Sequence, residues 1–202
     1  MLRYKVSENI YTIPLGFDNC YIIQDEGAVM VDGGAPKMEK GFRKAMEELP
    51  INPQDIKLMI MTHGHWDHIG PAKEIKDLTG ARIAMHENEK EWLEKSLKPM
   101  HPGVTLWGNI FGGIVRMFLP FVHISSTEVD LVLGDEGLTL SEYGIPGKVI
   151  HTPGHSSGSV SILLETRDVF VGDLAMNKFP LRLTPGLPIF AEDWAKLKES
   201  WE

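Results

Sequence analysis

The first half of the chain alternates short apolar runs with amphipathic stretches. Short apolar runs bounded by turn-forming residues predict strands, whereas apolar positions three and four apart predict helices. Pro50 and Gly80 end two of the helical stretches, as helix-stopping residues do. The predicted strands are 10–14, 21–24, 28–31, 57–62 and 82–85, and the predicted helices are 38–49, 69–78 and 88–97.

The second half, from about residue 130 onward, is dominated by strand-length apolar runs with a turn signal between each pair. Two strand-rich halves with helices between them favour two sheets packed face to face and covered by helices. Near the end of the chain, Asp193 is expected to cap a helix through Trp194, Leu197 and Trp201. The predicted strands of this half are 131–133, 138–140, 149–150, 159–164 and 169–171.

The most apolar stretch, residues 104–122, lies between the two halves. It contains Asn109, Arg116 and Pro120 and is shorter than a membrane-spanning helix requires. We predict a helical insertion at about 99–124 that forms the lid or wall of an apolar substrate pocket, packs in the core or in a homodimer interface, or lies on a membrane surface. The residues on its predicted apolar face are Trp107, Ile110, Phe111, Ile114, Val115 and Phe118.

Length and composition favour one soluble globular domain over residues 1–202. The chain has 202 residues, of which 43% are hydrophobic and 24% are charged. A formal net charge of −8 argues against a nucleic-acid partner, because phosphate contacts need clustered Lys and Arg. The N-terminus shows no apolar run of signal-peptide length, which predicts a cytoplasmic protein. The lone cysteine, Cys20, is expected in the core.

A dense polar cluster follows the predicted strand 57–62. It places His63, His65, Asp67 and His68 within six residues. Residues two apart in an extended segment face the same side, so His63 and His65 can point at one ion while Asp67 and His68 point elsewhere. The cluster therefore predicts two adjacent metal positions. Imidazole suits zinc, iron and nickel, and an oxygen ligand adds tolerance for manganese.

Two further polar segments follow predicted strands in the second half. In the segment 151–159, Pro153 and Gly154 force a tight turn that can aim His155 inward. In the segment 171–173, a strand is stopped by Gly172 and followed by Asp173, whose two oxygens could bridge two ions.

The motifs His-x-His-x-Asp-His, Thr-Pro-Gly-His-Ser-x-Gly-Ser and Gly-Asp, in this order, resemble those of the metallo-β-lactamase superfamily. The resemblance spans residues 11 to about 201. Outside the metal motifs, the chain resembles the glyoxalase II-like hydrolases and lactonases of that superfamily only in general terms. It implies an α+β fold, an αββα sandwich of two mixed β-sheets flanked by helices. It also implies that one metal is held by His63, His65 and His155, and the second by Asp67 and His68, with Asp173 between them.

Two other features follow from the resemblance. The segment Val31-Asp32-Gly33-Gly34 is similar to a strand-end turn near the family's site, where we expect Asp32 to support the ligands rather than to bind metal. The resemblance also implies a last metal-binding histidine after a further helix and strand, and the eight histidines here end at His155. We therefore expect that the natural C-terminal part is missing and that the second metal position is incompletely coordinated.

No Ser or Cys stands beside a His in a way that indicates covalent catalysis. We expect a metal-bound hydroxide as nucleophile, because a bound ion lowers the pKa of its water to about 7. Asp67 is the predicted catalytic residue, orienting that hydroxide or accepting its proton. The predicted reaction is hydrolysis of a thioester, ester or lactone with an apolar portion. Two zinc ions are the expected cofactors, with iron or manganese as alternatives.

Other functions stay open at this point. A sulfur dioxygenase with a single iron at His63, His65 and Asp173 would use an overlapping ligand set, and a metal-stabilised binding or sensor module would need no turnover. A true β-lactamase is disfavoured, since such enzymes are usually exported. The remaining histidines are expected to be structural or at the surface, with His151 supporting the turn that carries His155. They are His86, His101, His123 and His151.

Overall fold

The first sheet is mixed and contains six strands in the order β1-β2-β3-β4-β5-β6. A computed structural model of the protein describes residues 4–176, 186 and 188–202. Strands β1 to β3 pair antiparallel, whereas β3 to β6 pair in parallel. The strands are β1 (Ile10–Pro14), β2 (Asn19–Gln24), β3 (Ala28–Val31), β4 (Ile56–Ile60), β5 (Arg82–His86) and β6 (Leu131–Leu133).

The second sheet contains four strands in the order β10-β9-β8-β7. All of its described pairings are antiparallel, so the prediction of a mixed sheet is wrong here. Short turns connect successive strands, and a parallel pairing would need a longer crossover. The strands are β7 (Leu138–Thr139), β8 (Gly147–His151), β9 (Val160–Leu164) and β10 (Val169–Phe170).

The two faces of the first sheet bury different cores. Val29 and Leu58 on one face pack with Ile162 of the second sheet. Met30 and Met59 on the other face pack with helices that cover the sheet. Burial on both faces explains why β3 and residues 58–60 of β4 are unbroken apolar runs rather than alternating ones, although Lys57 of β4 is exposed. The α+β sandwich of two sheets flanked by helices is therefore confirmed.

The helices differ from the prediction in their ends. The predicted helix 69–78 is interrupted, because Pro71 has no N–H to donate and the next helix starts after it. The predicted capping of the last helix is confirmed, since the Asp193 carboxylate accepts hydrogen bonds from the N–H groups of Ala195 and Lys196. The helices are α1 (Glu39–Glu48), α2 (Trp66–Ile69), α3 (Ala72–Thr79), α4 (Lys90–Glu94), α5 (Leu106–Phe118) and α6 (Trp194–Glu199).

Helix α5 forms within the predicted apolar insertion, but most of its apolar side chains are exposed. The face toward the body carries Gly108 and Gly112, and Gly112 lies against Phe190. The predicted alternative in which this apolar face packs in the core is therefore wrong. The two glycines let the opposite side of the helix approach the body of the protein instead. No helix among the described residues is long and apolar enough to cross a membrane. The exposed residues are Leu106, Trp107, Ile110, Ile114, Met117 and Phe118.

Candidate metal centre

Three imidazole nitrogens meet at the end of β4. The Nδ1 atom of His65 lies 3.1 Å from Nε2 of His63 and 2.9 Å from Nε2 of His155. All three residues are buried. Nitrogens bound to one tetrahedral zinc at 2.0–2.1 Å lie roughly 3.3 Å apart. This triangle of nitrogens therefore has the size and the donor type to hold one ion.

Hydrogen bonds on the far side of two rings leave these nitrogens without protons. Nδ1 of His63 donates to the hydroxyl of Thr62 at 3.1 Å, and Thr62 donates in turn to Asp32. Nδ1 of His155 donates to the carbonyl of Phe190 at 2.9 Å. A neutral imidazole with a proton on Nδ1 presents a lone pair on Nε2. Both Nε2 atoms therefore face the cluster as metal-binding lone pairs.

Asp173 stands between this triangle and His68. Its Oδ2 lies 3.6 Å from Nε2 of His155, and its Oδ1 lies 3.4 Å from Nε2 of His68. The residue is held in a short 3-10 turn directly after β10. Each carboxylate oxygen thus faces a different imidazole, an arrangement that could bridge two ions. Burial raises the pKa of Asp173, but His68 and His155 outweigh it and lower that pKa well below its usual range.

Asp32 supports the cluster from behind. Its carboxylate is buried, accepts a hydrogen bond from Nδ1 of His68 at 2.9 Å, and accepts another from the backbone N–H of Thr62 at 2.7 Å. The residue has a positive φ of 59°, a conformation that Asp and Asn tolerate better than other side chains. In a neutral His68 this contact would leave the lone pair on Nε2, which is buried without a hydrogen-bond partner.

A third group of ligand atoms includes a residue that the sequence did not indicate. Asp18, Asp67 and His68 place one ligand atom each within 4.8 Å of one another. Asp18 lies in the turn between β1 and β2, far from any histidine in the sequence. No motif points to it. All six residues predicted as ligands fall within this group and two overlapping ones, His63–His65–His155 and His63–His68–Asp173.

The charge around His68 is strongly negative. Burial raises the pKa of Asp18 to about 7 and that of Asp67 to about 6. Burial lowers the pKa of His68, but Asp32, Asp18 and Asp173 raise it well above its usual range. Clustered buried carboxylates are costly unless a cation compensates them. A divalent ion beside His68 would supply that charge, so the donor set fits a metal.

Glu89 joins the two histidine loops and was not predicted. This fully buried carboxylate accepts a hydrogen bond from the N–H of Gly64 through one oxygen and from the N–H of Gly158 through the other. Burial raises its pKa, partly offset by these hydrogen bonds. Glu89 follows β5 with no histidine beside it except His86, so only the folded chain reveals its role.

His101 also lies nearer to the cluster than expected. Its ring centroid is 4.9 Å from that of His65 and 6.1 Å from that of His155. Its Nε2 is buried without a hydrogen-bond partner, and burial lowers its pKa to about 4. The neighbouring Pro102 gives no signal of this position. The sequence-based expectation of a structural or surface role therefore missed its place beside the ligands.

His151 contacts the turn that carries His155, as predicted. Its Nε2 donates to the carbonyl of Ser157 at 2.9 Å. Its ring stacks on that of His86 at 4.3 Å with an angle of 14° between the planes, and both rings contact Asp135. Both rings direct a nitrogen at the same oxygen of Asp135, at 3.2 and 2.9 Å, so hydrogen bonds already satisfy these nitrogens. We therefore interpret His86, Asp135 and His151 as a hydrogen-bonded group rather than a metal site.

The sequence matches the family model described as "Metallo-beta-lactamase superfamily" over residues 13–202. The chain belongs to this superfamily. The "Probable metallo-hydrolase YqgX" of Bacillus subtilis is 26% identical to this superfamily member over 163 residues. The match covers 80% of this chain and 67% of YqgX. The "Hydroxyacylglutathione hydrolase GloC" of Haemophilus influenzae is 29% identical over 171 residues, and this match covers 82% of this chain and 71% of GloC.

Solved structures of the superfamily share the fold. A metallo-β-lactamase of Cronobacter sakazakii with a HARLDQ motif superposes with a TM-score of 0.68 at 19% identity, covering 95% of this chain and 70% of that one. A class B3 di-zinc metallo-β-lactamase, LRA-12 from an Alaskan soil metagenome, gives a TM-score of 0.60 at 23% identity, and the match covers 82% of this chain and 59% of LRA-12. As a member of this superfamily, the protein is a metallo-hydrolase.

Proposed function

We propose that the protein hydrolyses a small thioester, ester or lactone with the help of two bound metal ions. The observation that carries the proposal is the triangle of nitrogens of His63, His65 and His155, with spacings of 2.9 and 3.1 Å. These three residues would hold one ion. His68 and Asp67 would hold the second, and Asp173 would lie between the two. The similarity to GloC, whose name denotes hydrolysis of a thioester, supports this substrate class.

Zinc is the metal we propose, because three imidazoles and carboxylates are ligands that it favours, although iron or manganese would accept the same set. When bound, the ions would supply a Lewis acid and would lower the pKa of a water to about 7. The chain's own part falls to Asp67. Burial raises the pKa of its carboxylate to about 6 in the metal-free protein. We propose that an oxygen of Asp67 orients the nucleophilic water or accepts its proton.

An apolar portion of the substrate is supported by the position of α5. Phe190 links this helix to the cluster, since its ring stacks on Phe111 at 6.1 Å while its carbonyl accepts the hydrogen bond of His155. The exposed apolar side chains of α5 therefore belong to a helix that is anchored beside a proposed metal ligand. We propose that α5 forms a wall against the acyl chain or ring of the substrate.

The test combines elemental analysis of the purified chain with activity on a panel of thioesters, esters and lactones. We expect His65→Ala and His155→Ala to lose bound metal and turnover together. His123→Ala is the matched control, because His123 is exposed and outside the cluster, and it should retain both. Full activity in either ligand variant would overturn the proposal.

Two other results would redirect it. Oxygen uptake with a persulfide and one iron per chain would indicate a sulfur dioxygenase instead. If chelation lowers the melting temperature while no substrate of the panel is hydrolysed by the metal-loaded protein, the site stabilises a binding or sensor module. Metal at 100 times its dissociation constant stabilises the folded state by about 2.7 kcal/mol, so its removal is measurable by thermal denaturation.

A further inference from the structure

Asp18 lies in a turn whose backbone is fixed on both sides. The N–H of Leu15 donates to the carbonyl of Asp18 at 3.1 Å, which closes the turn. The next residue, Asn19, is already the first residue of β2 and pairs with Pro14 of β1. The direction of the Asp18 side chain is therefore set by the β1–β2 hairpin rather than by a free loop.

This side chain points at the cluster, and one of its oxygens has no hydrogen-bond partner. It is 20% exposed, and its Oδ1 lies 3.9 Å from Nε2 of His68. Its Oδ2 is buried and makes no hydrogen bond. Within the described ranges 4–176, 186 and 188–202, His68 is the one basic side chain within 4.0 Å of this carboxylate. No Lys or Arg of the described chain thus explains why a carboxylate is buried at this point.

His68 provides an independent indication of a ligand at the same place. Its side chain is 4% exposed and Nδ1 is engaged by Asp32, while Nε2 lies 3.4 Å from Oδ1 of Asp173 and 3.9 Å from Oδ1 of Asp18 and makes no hydrogen bond. A distance of 3.9 Å is too long for a hydrogen bond. Ligand atoms that share one ion at 2.0–2.2 Å lie roughly 3–4 Å apart. The spacing is therefore compatible with two ligands of one metal and lies at the outer limit of an ion pair.

We propose that Asp18 is a ligand of the second metal position, together with Asp67 and His68. One ligand atom of each of these three residues lies within 4.8 Å of the other two. The inference rests on the proposed metal-dependent function. It adds a carboxylate oxygen from the β1–β2 turn to the position for which the motifs supply Asp67 and His68. A position with more carboxylates also binds harder divalent ions such as manganese better than a position built from imidazoles does.

The experiment is a titration of the metal-free 202-residue chain with cobalt(II), followed by visible absorption and by calorimetry. We expect two binding events in the wild-type chain. Asp18→Asn should weaken one of them by on the order of 10–100-fold and leave the other unchanged, because the neutral amide is a poorer ligand. His155→Ala should weaken the other event instead.

Asp25→Asn is the matched control. It makes the same change of charge at the opposite end of β2, where Asp25 is exposed, and it should titrate like the wild type. Two binding events of unchanged affinity in Asp18→Asn would overturn the role of Asp18 but not the proposed function. A single event in the wild type would also overturn it, since no second position would exist. A wild-type chain that binds no metal would overturn both.

A second measurement avoids any variant that fails to fold. Crystals of the wild-type chain soaked in zinc or manganese should show two anomalous peaks, with an oxygen of Asp18 about 2.0–2.2 Å from one of them. An ion beside His68 with the Asp18 carboxylate outside this distance would contradict the proposal directly.

Discussion

An oxygen of Glu89 lies 2.7 Å from the backbone nitrogen of Gly158 and accepts its hydrogen bond. The other oxygen of the same carboxylate accepts from the N–H of Gly64. Gly64 lies between His63 and His65, and Gly158 lies in the turn that follows His155. One buried carboxylate therefore sets the distance between the two loops that carry the three imidazoles.

We expect Glu89→Gln to loosen this connection. The amide NH₂ would face one of the two backbone N–H groups, and a buried donor without an acceptor costs about 1–3 kcal/mol. Chemical denaturation should show that loss, and a metal titration should show weaker binding at the triangle of His63, His65 and His155. The exposed neighbour Glu87 offers the control, because Glu87→Gln should change stability by less than about 0.5 kcal/mol. Equal stability of both variants would contradict this role.

Asp32→Asn should act on the proposed second metal position through His68. Asn tolerates the positive φ of 59° at this position, so the backbone should be kept. Its NH₂ group, however, would favour a proton-free Nδ1 on His68 and move the proton to Nε2, the atom needed for metal. We expect affinity at that position to fall on the order of 10–100-fold in a cobalt titration. Asp55→Asn, at an exposed carboxylate, should have no effect, and unchanged binding in Asp32→Asn would refute the argument.

Gly154 should not accept a side chain. It has a φ of 139°, and a Cβ there would collide with the backbone of Leu197 in α6. Strain of this kind costs about 1–3 kcal/mol before the collision is counted. Gly154→Ala should therefore lower the melting temperature and weaken metal binding by the adjacent His155. Gly113→Ala should instead raise the melting temperature. Gly113 is exposed in α5 with open space around it, and Ala stabilises a helix by about 0.5–1 kcal/mol relative to Gly.

Asp130 should contribute a pH-dependent part of the stability. Burial raises the pKa of its carboxyl, but hydrogen bonds from Lys76 and from the N–H of Ile83 lower it below the ordinary value of 3.8. The ionised form is therefore favoured in the folded state. Its stabilisation is fully present above pH 3.8 and is lost as the pH falls through the lower folded value.

The measurement for Asp130 is urea denaturation of the wild type and of Asp130→Asn at several pH values. We expect the variant to be about 1 kcal/mol less stable at neutral pH. This difference should shrink once the pH falls below 3.8. A difference that stays constant below pH 3.8 would show that the contribution of Asp130, which lies 2.6 Å from Lys76, does not depend on the charge of its carboxylate.

Local sequence determined most of the secondary structure and the identity of the six predicted ligand residues. Strand β3 and strand β6 have the predicted ends, and β1 does as well, because alternation, unbroken apolar runs and turn residues act over a few positions. The histidine motifs are readable for the same reason. Spacing along one strand and the turn after it decides which imidazoles face the same way.

Only the tertiary structure decided which residues complete the site. Asp18 and Glu89 come from two different turns, and their contacts with His68 and with the ligand loops depend on how the strands of the first sheet are ordered and how β8 and β9 pack against them. The exposure of the apolar face of α5 is likewise a tertiary result, because two glycines on its other side allow the closer approach. Contacts between residues far apart in the chain arise from packing, which no local pattern encodes.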